Sequence, residues 1–187
     1  MQKKYIKVFW IFSIIIIPIS IVLFFIPFQK ALVFYVEDTD QVKAYLPIQA
    51  GDPFQIIFTH SIHLKDVVEK YRLTENGEIE QYEIVYEEYG IGMPSNAEEG
   101  ENFVFENGKY HIKNMNKVFP SINIRNGRIV SEHRLVWGLN EEHIVNFNDY
   151  FTPGAWYTVK YDTLSLWNIL KGVKIDDEST RSDSIIN

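Results

Sequence analysis

From Val8 to Phe28 the chain runs 21 residues without a charge, a length that crosses a bilayer as one helix. Beyond this run the pattern changes period. Leu32–Val36, Val42–Leu46 and Phe54–Ser61 are short, apolar and rich in β-branched or aromatic residues, which predicts strands. Three Asn-Gly dipeptides, Asn76-Gly77, Asn107-Gly108 and Asn126-Gly127, separate further segments of that kind and predict two-residue hairpin turns. With that loop length the first hairpin pairs Val67 with Tyr86, Glu69 with Ile84 and Tyr71 with Tyr82 on one face. Its other face pairs Lys70 with Glu83 and Arg72 with Gln81. Apolar residues thus meet on one side and complementary polar ones on the other, as a half-buried ribbon requires. The second hairpin sets Phe105 opposite Tyr110, Phe103 opposite Ile112 and Glu106 opposite Lys109, and the third sets Ile124 opposite Ile129.

These strands predict an all-β domain, an antiparallel sandwich or partly open barrel. Near the C-terminus Leu166, Ile169, Leu170 and Val173 recur at helical spacing, with Asp162 or Thr163 able to cap a short helix and Gly172 near its end. Such a helix packs on the sheet or lies on a membrane surface. The Ser- and Asp-rich residues 176–187 read as a disordered tail.

Charge orients the chain. Lys3, Lys4 and Lys7 precede the apolar run and only Lys30 follows it closely, so residues 1–7 are expected in the cytoplasm, 8–28 as a single-pass signal anchor in the cell membrane, and 31–175 as an extracytoplasmic β-domain. Phe25-Ile-Pro-Phe-Gln-Lys30 lacks the small residues of a signal-peptide cleavage site, which favours retention of the anchor. From residue 31 onwards 14 basic residues face 25 acidic ones, a net charge near −11. Nucleic acid is excluded as a natural partner, while cations and basic surfaces are favoured. There is no cysteine, which removes a lipidated anchor, a thiol nucleophile, a zinc-thiolate site and any disulfide framework.

Candidate chemistry is sparse, and no cofactor motif or catalytic residue is assigned. His60 alternates onto the apolar face of Phe54, Ile56 and Phe58 while Ser61 points away, so the two are not a nucleophile and base. Glu69 lies on the inward face of the first hairpin, and a charge there needs a partner. A buried His60–Glu69 pair is therefore expected, either fixing strand register, binding a small solute or, with His63, holding a metal. His60 and His63 converge only if a turn begins near Ile62. Tyr89-Gly-Ile-Gly-Met-Pro94 ends a strand with two glycines one residue apart. It reads as a tight turn, or as a site loop in which Ser61, Gly90, Gly92 and Pro94 approach a ligand.

His60-Ser61-Ile62, Glu69 and Tyr71, Asn76-Gly77 and Tyr89-Gly-Ile-Gly-Met93 together resemble the uncharacterised bacterial family called domain of unknown function 1850, over about Leu32 to Lys113. Gly90-Ile91-Gly92 departs from the Gly-Ala-Gly found in many of its members. The resemblance implies a small extracytoplasmic β-domain behind one membrane helix. It also implies an accessory role beside TRAP transporters of the TAXI class, with a transporter subunit or the solute-binding protein as partner. The expected function is thus a membrane-anchored accessory or binding module; a metal-assisted enzyme and a purely structural cell-envelope protein are the alternatives.

Overall fold

The computed structural model describes residues 14, 16–88 and 93–176. Among them are twelve strands: β1 (Pro27–Val36), β2 (Val42–Leu46), β3 (Pro53–Thr59), β4 (Asp66–Leu73), β5 (Ile79–Tyr86), β6 (Asn102–Glu106), β7 (Lys109–Phe119), β8 (Ile122–Arg125), β9 (Arg134–Trp137), β10 (His143–Asn146), β11 (Trp156–Ser165) and β12 (Val173–Lys174). They form a five-stranded sheet in the order β12-β2-β1-β11-β8 and a seven-stranded sheet in the order β10-β9-β3-β4-β5-β7-β6. Both are open, so the domain is sandwich-like and no barrel closes. All pairings are antiparallel except that of β12 with β2.

β1 is the hub of the smaller sheet. Ala31, Leu32, Val33 and Phe34 are all completely buried, because alternate residues of a strand face opposite sides and both sides are covered. Leu32 and Phe34 enter the core between the sheets with Phe54, Ile56, Tyr71, Leu135, Phe147 and Tyr157. Ala31 and Val33 join Val42, Tyr45 and Leu164 on the opposite face, against Ile169. A further cluster belongs to the larger sheet, where Val67, Ile84, Tyr86, Ile112 and Met115 are covered by Met93 from the β5–β6 connection.

The first hairpin keeps its predicted pairs Val67–Tyr86, Glu69–Ile84 and Lys70–Glu83, but Tyr71 faces Gln81 and Arg72 faces Glu80. Two offsets cancel. The loop has three residues, closed by Thr74 and Glu78, with Gly77 at φ +83, and a bulge between the Lys70 and Tyr71 pairs restores the expected register. The second hairpin matches its prediction in all three pairs, with Asn107 and Gly108 both at positive φ as a two-residue turn demands. The third prediction is wrong. Ile124 pairs with Tyr157 of β11, Ile129 is 90 % exposed, and Asn126 is buried. Its side-chain amide donates to the Phe151 carbonyl and to Asn148, and its backbone bonds Ala155 and Gly154. Asn126 serves as a buried tie and turns no hairpin.

The C-terminal helix forms at Leu166–Lys171, capped by Ser165 in a reciprocal arrangement with Asn168. Asp162 and Thr163, the predicted caps, lie inside β11 because that strand pairs with β1 as far as Ser165. Pro27 and Phe28, assigned to the anchor, belong to β1. Among the described residues no helix is long and apolar enough to cross a membrane. Residues 14 and 16–25 are helical, and residues 8–13 and 15 of the apolar run, like residues 177–187 of the tail, lie outside the described residues.

Replacing Asn126 by Ala leaves the Phe151 carbonyl short of its donor. We expect a loss of about 1–3 kcal/mol, read as a lower urea midpoint with an unchanged slope; a midpoint equal to wild type would refute the role.

Candidate functional site

β3 ends at Thr59, and the chain then reverses through a tight turn to β4. The His60 amide donates to the Lys65 carbonyl at 2.8 Å and the Leu64 amide to the His60 carbonyl at 2.9 Å. Closure this tight places Leu64 at φ 53, a left-handed conformation that costs a leucine about 1 kcal/mol or more. At the tip Ile62 is 60 % and Leu64 64 % exposed. The turn meets the condition for the histidines to converge: the His60 and His63 rings lie 5.1 Å apart. His60 Nδ1 accepts from the amides of Ile62 and His63 at 3.4 Å, so its neutral form carries the proton on Nε2. His63 Nδ1 faces Glu88 at 3.1 Å.

The segment after β5 closes the other side. The Tyr86 hydroxyl donates to the Pro94 carbonyl at 2.5 Å, and Met93 lines the same shallow depression as His60, His63 and Glu88. An ionic fringe surrounds it: Lys65 and Lys109 each approach Glu87, at 3.3 and 3.5 Å, and Arg134 pairs with Asp66 at 2.6 Å. Burial works to raise the Asp66 pKa, but Arg134 and the Thr59 hydroxyl, which donates at 3.0 Å, together hold it below the ordinary carboxylate value.

Glu69 does not join this site. It pairs with Ile56 across the ladder, four positions short of His60, or about 13 Å along the strand. The hydroxyl of Tyr71 donates to it at 3.0 Å, a partner on its own strand. Burial raises the Glu69 pKa, a shift that the Tyr71 bond reduces without cancelling. His60, His63 and Glu69 are thus not one ligand set, and no group of three His, Cys, Asp or Glu able to hold a metal occurs among the described residues. Ser61 is exposed on the turn and Pro94 anchors the facing segment; Gly90 and Gly92 lie outside the described residues. Sequence reasoning missed Ile62, Leu64, Asp66, Glu88 and Arg134. For the turn the available signal was composition: carrying the β3–β4 pairing out to Ser61 would leave Ile62-His63 as a two-residue loop, with neither the glycine nor the asparagine that such a loop favours.

A second partly buried ionisable group, His133, stacks on Phe58 and lies tilted against Phe147, with ring centroids 5.6 and 5.5 Å away. Burial pushes its pKa down to about 4. A cavity of about 570 Å³ lies elsewhere, at the start of β1, where Phe28, Lys30, Ile48, Gln49, Glu75 and Tyr161 meet. Since β3 leaves that end at Pro53 and runs seven residues to Thr59, the His60 turn stands about 23 Å along the sheet from it.

Two opposed pH dependences follow. Glu69 binds its proton more tightly when folded, so its contribution is complete below the ordinary value of 4.5 and is lost as pH rises through the raised folded value. Glu69→Gln keeps an acceptor for Tyr71 and removes the titration; urea midpoints of this variant should fall less than wild type above pH 4.5, and parallel curves would refute it. His133 binds its proton less tightly when folded, so its contribution is present above 6.5 and is lost as pH falls towards about 4. His133→Phe keeps the ring and should flatten that acid limb, whereas an unchanged limb would assign it to other groups.

A family model described as "Domain of unknown function (DUF1850)" matches residues 54–144. No curated protein and no solved structure matches the chain. The matched segment opens in β3 and closes in β10, so it spans the seven-stranded sheet and leaves out β1, β2 and β11. Over this segment, which holds the His60 turn, the chain is similar to the uncharacterised DUF1850 domain family.

Proposed function

We propose that this protein is a single-pass membrane-anchored module whose β-domain stands outside the cytoplasm and serves a TRAP-type solute transporter as an accessory or binding subunit. The observation that carries the reading is the helical run 16–25, where Ile16, Ile17, Ile19, Ile21, Val22, Leu23 and Phe25 are each more than half exposed. A helix apolar on every side calls for an apolar surrounding. The run leads through Ile26 directly into β1, so the anchor is continuous with the central strand of the fold. Lys3, Lys4 and Lys7 before it favour a cytoplasmic N-terminus.

The contact surface in this reading is the His60 turn, at the end of the larger sheet away from the start of β1. Ile62 and Leu64 offer a small apolar centre inside a rim of His63, Glu88, Lys65, Glu87 and Asp66, the composition of a modest protein interface. The net charge of the chain, −7, favours a partner with a basic surface. A TRAP-type partner, either a membrane subunit or the solute-binding protein, follows from the family resemblance alone.

The test is gentle extraction of the tagged full chain from its native membrane, followed by mass spectrometry of what accompanies it. We expect retention in the membrane through an alkaline wash and reproducible enrichment of transporter components. Capture by the double variant Ile62→Asp, Leu64→Asp should fall at least about tenfold, as for a central interface residue. Release by alkali, or recovery of the chain with no transporter component, would overturn the reading.

A further inference from the structure

We propose that the short helix Leu166–Lys171 lies in the membrane interface, giving the β-domain a second contact with lipid beside its anchor. The inference rests on reading the N-terminal apolar run as that anchor. The helix has two faces. Ile169 packs against the cluster of Ala31, Val33, Val42, Tyr45 and Leu164 on the outer face of the smaller sheet. Leu166, Trp167 and Leu170 are exposed, as is Val173 at the start of β12, and positions 166 and 170 fall on one side at helical spacing. The capping pair of Ser165 and Asn168 secures the first turn, so this side is held in place.

Three observations identify lipid as what covers it. The Trp167 ring lies 6.0 Å from that of Phe24 and 5.8 Å from that of Phe25, the last two residues of the helical run, so the patch continues the apolar surface of the anchor. Pro27 begins β1 two residues later; β1 needs partners for its backbone, so the boundary of the hydrocarbon layer falls here. Trp167 is therefore set at the level where tryptophan rings gather in bilayers. Finally, Lys171 Nζ sits 4.1 Å from the Trp167 ring centroid, and Lys30 pairs with Thr163 near the start of β1. These cations stand towards the headgroups, on a chain that is acidic as a whole.

The native chain has no cysteine, so a single thiol can be labelled at will. The full chain carrying Leu170→Cys, with an environment-sensitive fluorophore, would be reconstituted in phosphatidylethanolamine–phosphatidylglycerol vesicles containing a doxyl-labelled lipid. The 90 % exposed Ile129 supplies the control, Ile129→Cys. We expect the label at 170 to lose about half or more of its emission to the lipid quencher, as for a helix buried some 5–10 Å, and the label at 129 to lose none. A chain that resists alkali while its 170 label is quenched only by aqueous iodide would overturn this contact and leave the anchor standing. Shielding from both quenchers would show protein on the patch and would likewise overturn it. A chain that washes off in alkali would remove the anchor reading, and this inference with it.

Discussion

Burial of β1 on both faces is the constraint on which the remainder of the structure depends. Four consecutive residues, Ala31 to Phe34, are fully buried, and because their side chains alternate they can be so only if two separate surfaces are built, one on each side. The larger sheet supplies one through Phe54, Ile56 and Tyr71, and the C-terminal helix supplies part of the other through Ile169. The same strand pairs with β11 from Pro27–Ser165 to Val36–Tyr157. The beginning and end of the described domain are thereby stitched together.

The larger sheet has more strands than the smaller one has to cover them. Val67, Ile84, Tyr86, Ile112 and Met115 form a cluster drawn from β4, β5 and β7 alone, and its cover comes from the chain between β5 and β6. Met93 of that segment packs on the cluster, and the hydrogen bond from Tyr86 to Pro94 holds the chain there. The depression between it and the His60 turn is a by-product of this cover.

On the outer face of the larger sheet charge takes over from packing. Arg72–Glu80, Lys70–Glu83, His111–Glu83 and Lys113–Glu106 link neighbouring strands, and each exposed pair contributes little alone. Their value is in register. A slip of one residue would set like charges opposite one another and turn the apolar face to water. The bulge between Lys70 and Tyr71 is tolerated because it restores this alternation after a three-residue loop has shifted it.

Strand content, the second hairpin and most of the first were legible in the sequence, because hairpin pairing is local: a two-residue turn with both residues at positive φ leaves one register open to the strands beside it. The same reasoning failed at Asn126, whose identity signals a turn while its neighbours Ile124 and Tyr157 are joined across more than thirty residues. It failed again at His60 and Glu69. Alternation places both on one side of a strand, but their separation along the ladder depends on where β3 stops, and closure of the chain onto Lys65 decides that. The sequence by itself determined the apolar run, the absence of thiol chemistry, the acidic balance and the all-β class, since these depend on composition and short-range period. Only the tertiary structure decided that Glu69 bonds Tyr71, that the two histidine rings meet, and that Trp167 meets Phe24 and Phe25, because each joins residues whose distance is set by how the chain folds around them.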